Sequence, residues 1–165
     1  MIVKFFKVGS ETVNTIIIFS SMTGTTEQMA YALAEQLVKS GEQVVVKDAF
    51  DAFGEELPAY ERILLGCPTW GDGDLSDEFI DFYEEMVQMN LTGKKAAAFG
   101  PGDSSYKHFA RAVDILEDGL RACGCDIITN GLKVDSRSSD EQEIQTECKW
   151  FVERLMIEKM GCAKR

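Results

Sequence analysis

Basic residues are scarce in this chain: 17 Lys and Arg stand against 28 Asp and Glu, a formal net charge of −11 at pH 7. Such a balance repels phosphate backbones and excludes nucleic acid as a partner. It favours basic protein surfaces instead, through an attraction that salt weakens. The one histidine, His108, has no companion ligand, and the five cysteines include no C-x-x-C pair, so no metal centre is expected. Cys67, Cys123, Cys125, Cys148 and Cys162 are odd in number and read as reduced thiols. No apolar run approaches the ~20 residues that cross a membrane. Lys4 and Lys7 interrupt the apolar residues at the start, where a signal peptide needs an unbroken core. A cytoplasmic monomer without a membrane partner is expected. Internal repeats, linkers and low-complexity stretches are lacking too, so 165 residues are expected to form one domain.

What the chain does have is an alternation of short apolar runs with amphipathic segments. "TIIIFS" (15–20) is the β-branched run of a strand buried on both faces, and "EQVVVKD", "ERILLGC", "KKAAAFG" and "CDIITNGLKV" supply four more. Between them lie helical stripes: Met29, Leu33, Leu37; Phe79, Phe82, Met86, Met89; Phe109, Val113, Leu116, Leu120; and Ile144, Cys148, Phe151, Leu155. "AFDAFGEELPAY" after the second strand is shorter, with Gly54 and Pro58 limiting any helix. Strand alternating with helix implies right-handed crossovers and a doubly wound α/β fold, a parallel sheet covered on both faces. Residues 14–160 are expected to form this domain and 161–165 a short tail. Residues 1–13 are left as an extra edge strand, a flexible arm or a remnant foreign to the domain.

Ligands of such sheets bind beyond the carboxyl ends of the strands, where the winding reverses. After the first core strand comes "SSMTGTTE", with five hydroxyls and one glycine between Ser20 and Thr26 and no Lys or Arg. A helix N-terminus with close-approaching backbone holds a phosphate without any cation. Neither a GxxxxGK[ST] loop nor GxGxxG is present. After the third comes "GCPTWGDGDLSDE", which puts Trp70 at the ligand edge as a platform for a planar ring. After the fourth comes "FGPGDSSYKHF", in which Gly100, Pro101 and Gly102 are expected to force a turn, Asp103 to accept from an N–H donor or cap the helix, and Tyr106 to supply a second aromatic. His108 reads as a surface helix residue. Hydroxyls on one loop and aromatics on two describe a pocket for a flat ring with a phosphate tail, that is, flavin mononucleotide (FMN).

With these residues in view, the chain resembles a flavodoxin of the short-chain type over about residues 14–157. "SMTGTT" is similar to the family's phosphate loop at Ser21, Met22, Thr23, Gly24, Thr25 and Thr26. "PTWGD" is similar to the loop of Pro68, Thr69, Trp70, Gly71 and Asp72, whose aromatic covers the inner flavin face. Pro101, Gly102, Asp103 and Tyr106 match the third loop, with Asp103 at the pyrimidine edge and Tyr106 on the outer face. Thr25 stands where asparagine is common, and Pro68 where some members carry serine. The run from Asp126 to Asp135 lacks the insertion of long-chain members.

The resemblance implies a flavodoxin-like three-layer α/β/α sandwich with a five-stranded parallel sheet in order 2-1-3-4-5. It implies a low-potential one-electron carrier that uses non-covalently bound FMN in three oxidation states and transiently docks basic surfaces of redox enzymes. The Gly71 carbonyl would accept a hydrogen bond from the reduced ring after its peptide turns over, glycine tolerating either turn and Asp72 tolerating positive φ. Asp72, Asp74, Asp77, Glu78 and Asp103 would oppose the charge of full reduction. The alternative is an FMN-dependent enzyme, such as a quinone reductase or an activator of ribonucleotide reductase, but Trp70 and Tyr106 would leave such a substrate little room. A receiver domain lacks its aspartate at Cys67-Pro68-Thr69, and a low-molecular-weight tyrosine phosphatase lacks its Cys–Arg loop.

Overall fold

A run of β-branched and aromatic residues between polar turns forms a fully covered strand wherever helices shield both its faces. The computed structural model describes residues 2–5 and 13–163, with side chains for 13–157. In chain order the elements are β1 (Ile2–Phe5), β2 (Asn14–Phe19), α1 (Thr25–Lys39), β3 (Gln43–Asp48), β4 (Arg62–Gly66), β5 (Thr69–Trp70), β6 (Asp74–Leu75) and α2 (Asp77–Met86). They continue with β7 (Lys95–Gly102), α3 (Arg111–Ala122), β8 (Asp126–Ile127), β9 (Leu132–Asp135) and α4 (Glu141–Ala163). Two 3₁₀ turns, Ala49–Asp51 and Gly54–Ala59, replace the second crossover helix, as Gly54 and Pro58 foretell.

The core strands lie in the order β3-β2-β4-β7 with β8 and β9 beyond, all parallel. Counted along the core, this is the expected 2-1-3-4-5, with the fifth strand broken into β8 and β9 at residues 128–131. At the other edge β1 pairs antiparallel with β3, Ile2 opposite Lys47, and so covers an edge otherwise open to another chain. Residues 1 and 6–12 of the N-terminal extension lie outside the described residues. So do residues 164–165 of the expected tail, whereas α4 runs on to Ala163.

Side chains alternate across the sheet and divide into two cores. Ile16 and Ile18 of β2, Ile63 and Leu65 of β4, and Ala96 and Ala98 of β7 face α2 and α3. Ile17 and Phe19, Leu64, and Ala97 and Phe99 face α1 and α4. Every helical stripe read from the sequence is buried on one of these faces, apart from Met89 and Phe109, which are half-buried. At the amino edge of the sheet Arg62 and Glu42 are both buried. The Arg62 guanidinium donates to both Glu42 oxygens at 2.6 Å, and the Thr15 hydroxyl donates to the same carboxylate.

One expectation fails. Gly100-Pro101-Gly102 do not turn; they are the end of β7, paired with Lys133, Val134 and Asp135 of β9. Pro101 is tolerated because β4 stops at Gly66, opposite Phe99, so no neighbour on that side needs its missing N–H. The glycines are there for lack of room. A Cβ on Gly100 would stand 2.3 Å from the Cys67 carbonyl oxygen, and one on Gly102 would stand 2.6 Å from the Ala110 nitrogen.

Candidate functional site

The carboxyl ends of β2, β4, β7 and β9 bound a crevice of about 580 Å³. Its wall takes in Met22, Thr23 and Thr25 from the first loop, Pro68, Thr69, Trp70, Gly71 and Asp72 from the second, and Pro101, Gly102, Asp103 and Tyr106 from the third. Of the residues singled out in the sequence, Ser21, Gly24 and Thr26 stay off this wall.

The first loop is built by Gly24, which takes φ +96 and serves as the N-cap of α1; a Cβ there would meet open space, so the backbone angle and not crowding asks for glycine. The Ser21 hydroxyl accepts from the Gly24 N–H at 3.1 Å, closing the loop on itself. The first backbone bond of the helix runs from the Gln28 N–H to the Gly24 carbonyl, which leaves the N–H groups of Thr25, Thr26 and Glu27 for an acceptor outside the helix. Thr26 is buried, and its Oγ1 has no hydrogen-bond partner among the described residues. A buried hydroxyl without a partner costs about 1–3 kcal/mol, so unpaired donors gathered at one helix end mark an anion seat.

The second loop is a small hairpin, β5 against β6, with Trp70 opposite Asp74. The Gly73 N–H donates to the Trp70 carbonyl at 3.0 Å, and Gly71 has φ +50 while Asp72 keeps a negative φ, the pattern of a II′ turn. Trp70 remains 37% exposed and Tyr106 66% exposed, both on the crevice wall. The Thr69 hydroxyl already accepts from the Ala112 N–H at 3.0 Å. It thereby ties this loop to the start of α3.

In the third loop neither Asp103 nor Ser104 caps a helix, since α3 starts only at Arg111, with Ala110 as its N-cap in the left-handed region at φ +49. The Asp103 carboxylate instead accepts from the Ser105 N–H at 2.9 Å and the Ser105 hydroxyl at 2.6 Å. These bonds, with Arg137 nearby, hold its carboxyl below the usual carboxylate range. Ser136, just past β9, fastens the loop by donating its N–H and its hydroxyl to the Gly102 carbonyl.

Lys107, His108 and Ser136 also line the crevice. His108 is exposed but precedes α3, a correction to its reading as a helix residue. Lys107 brings a positive charge to the wall, while the first loop itself is free of cations. The signal for Ser136 was its place at another carboxyl strand end.

A doubly wound α/β protein with an anion seat, two exposed aromatics and a crevice at the switch point belongs to the class that binds a flat phosphorylated cofactor. Comparison with known proteins narrows this. The flavodoxin profile matches residues 17–150, and the chain belongs to the flavodoxin family. It is 35% identical over 149 residues to "Probable flavodoxin 2" of Bacillus subtilis, covering 90% of this chain and 97% of that one. It is 38% identical to a flavodoxin of Nitratidesulfovibrio vulgaris over 74% of this chain and 84% of that one. Among solved structures, oxidised flavodoxin 1 of Bacillus cereus superposes with a TM-score of 0.80 at 38% identity, covering 86% and 97% of the two chains. Flavodoxins are electron-transfer proteins rather than enzymes, and they act with redox partners.

Proposed function

We propose that this chain binds one FMN without a covalent bond in the crevice and works as a low-potential one-electron carrier between redox enzymes. The observation that carries the reading is the set of unpaired donors at the start of α1, with the buried Thr26 hydroxyl among them. In this reading Ser21, Met22, Thr23, Gly24, Thr25 and Thr26 hold the phosphate by hydroxyls, backbone N–H groups and the helix dipole. Pro68 to Asp72 and Pro101 to Asp103, with Tyr106, hold the ring. A fusobacterial flavodoxin that shares this fold, at 17% identity and a TM-score of 0.78, is described as bound to flavin mononucleotide. The relatives' family supports the same cofactor here.

Bound flavin supplies a centre that takes up electrons one at a time. The chain's residues do the rest. Trp70 and Tyr106, both on the crevice wall, would cover the ring and keep water from it. With its peptide turned over, the Gly71 carbonyl would be free to accept a hydrogen bond from the ring's edge, a neutral bond contributing about 1 kcal/mol. The carboxylates of Asp72 and Asp103 oppose negative charge brought into the crevice, each by roughly 0.8 kcal/mol at about 10 Å and an effective dielectric near 40. Lys107 acts in the opposite sense. With a net charge of −11, docking is to basic partner surfaces, transient and weakened by salt, by a monomer in the cytoplasm. Among the described residues, no helix is long and apolar enough to cross a membrane.

The test is direct. Flavin-free protein titrated with FMN should quench the flavin's fluorescence at one equivalent and bind riboflavin far more weakly, because riboflavin lacks the phosphate. Stepwise reduction of the complex should then resolve two one-electron steps. Equal affinity for riboflavin would remove the anion seat, and a single two-electron step would remove the carrier.

A further inference from the structure

The Trp70 hairpin is a partition with a cavity on each side. One side is the crevice. The other is a groove of about 430 Å³ bounded by Trp70, Asp74, Leu75, Asp77, Ile80 and Ile115. Trp70 and Gly71 belong to both walls. The groove's apolar floor is Leu75, which is buried, with Ile80 and Ile115, which are half-buried on the α2–α3 core.

Its rim is anionic. Asp74 is the cross-strand partner of Trp70, and directly opposed residues of a hairpin share a face. Asp77 stands in the first turn of α2. Both are exposed, and neither carboxylate has an ion pair among the described residues. Arg111, whose stem lies against Gly73, pairs with neither. An exposed indole, an aliphatic floor and two free carboxylates are the three contacts an arginine side chain makes. Its stem covers apolar surface, its guanidinium stacks on an aromatic face, and its N–H fork meets carboxylates. Lysine makes the charge contact but has neither the plane nor the fork.

We infer that the groove between the Trp70 hairpin, α2 and α3 is the docking slot for an arginine side chain of a redox partner. This rests on the electron-carrier reading above and gives the docking a place and a chemistry. Charge complementarity names the occupant, because the groove wall carries the carboxylates of Asp74 and Asp77 on a protein whose net charge is −11. The shared wall gives a consequence. A guanidinium held against one face of Trp70 restrains the turn whose other face borders the crevice, so docking and the state of the turn influence each other.

The experiment follows the Ile80 and Ile115 methyl resonances and the Trp70 indole N–H by NMR in flavin-loaded protein. The probes are N-acetyl-arginine methylamide, its lysine counterpart and the neutral isostere N-acetyl-citrulline methylamide. Saturable shifts at all three groups are expected with arginine, at least about fivefold weaker binding with citrulline, and an intermediate result with lysine. Asp74→Asn and Asp77→Asn should each weaken the arginine response, and added salt should do the same. Equal responses to arginine and citrulline, shifts confined to the crevice, or no saturation would overturn the slot. FMN uptake measured on the same preparation reports separately on the carrier reading. The titration repeated without flavin reads the groove even if that uptake fails.

Discussion

The Ser20 and Ser76 hydroxyls lie 2.6 Å apart, both fully buried, although 56 positions separate them. Ser20 begins the first loop and Ser76 stands at the N-cap of α2, where its hydroxyl makes no capping bond and turns to Ser20 instead. The Cys67 thiol joins them at 3.6 and 3.5 Å and donates to the Pro68 carbonyl. Burial pushes that thiol's pKa up, so it stays protonated and serves as a hydrogen-bonding group. Backbone bonds complete the seam: the Ser20 N–H donates to the Gly66 carbonyl and the Cys67 N–H to the Phe99 carbonyl. The loops that make the crevice are thus stitched to one another beneath it.

Replacing either serine by alanine leaves a buried hydroxyl short of a partner and should cost about 1–2 kcal/mol of stability. The two changes together should cost less than their sum, because each removes the same bond. Urea unfolding of the flavin-free single and double variants measures this, and full additivity would deny the bond.

Thr26→Val is predicted to act with opposite signs on folding and on binding. It removes a buried hydroxyl that has no partner, so flavin-free stability should hold or rise by up to ~1 kcal/mol. Losing a bond to a charged phosphate should weaken FMN binding about tenfold or more. Fluorescence titration beside urea unfolding separates the two effects.

At the Trp70 turn the structure moves the emphasis from Gly71 to Asp72. Gly71 already has positive φ, and turning over the following peptide converts II′ to I′, which brings Asp72 to positive φ. Asp72→Gly and Asp72→Ala remove the same charge but differ by about 1 kcal/mol in that conformation. The first one-electron potential should therefore be about 40 mV higher in the glycine variant. Spectroelectrochemical titration reads the difference, and equal potentials would deny the turnover.

Asp103 is predicted to titrate below the ordinary carboxylate value of about 4, because the ionised form accepts two bonds from Ser105. A depressed folded-state pKa contributes stability that is complete above the unfolded value and fades as pH falls through the folded one. The third loop should therefore loosen only below about pH 4. Ser105→Ala should move the Asp103 titration upward, as followed by NMR of its carboxyl carbon.

At the far edge of the sheet, Glu42→Ala should cost about 3–5 kcal/mol, since it strands the buried Arg62 guanidinium and frees Thr15. Glu42→Leu combined with Arg62→Met should cost less than either charge removed alone. Thermal or urea unfolding distinguishes these outcomes.

Much of this was readable in advance. Five apolar runs and four helical stripes determined a doubly wound sheet, because period-2 and period-3.6 patterns are local consequences of which faces must be buried. Crossover handedness then placed three loops at one edge, and hydroxyls, indole and phenol in those loops declared the ligand's chemistry. The crevice wall takes in most of the residues named from those loops.

Tertiary structure decided the rest, wherever the cause lay in a neighbour distant in sequence. Gly100 to Gly102 read as a turn yet extend as strand, since β9 pairs with them and Cys67 and Ala110 leave no room for a side chain. Asp103 binds Ser105 instead of capping a helix, and Thr69 spends its hydroxyl on the Ala112 N–H. Lys107, His108 and Ser136 reach the crevice only through the path of the folded backbone. The Ser20–Ser76 bond and the slot behind Trp70 join segments that no periodicity relates. Sequence pattern sets which surface a segment must hide; which partner it meets there is a property of packing in three dimensions.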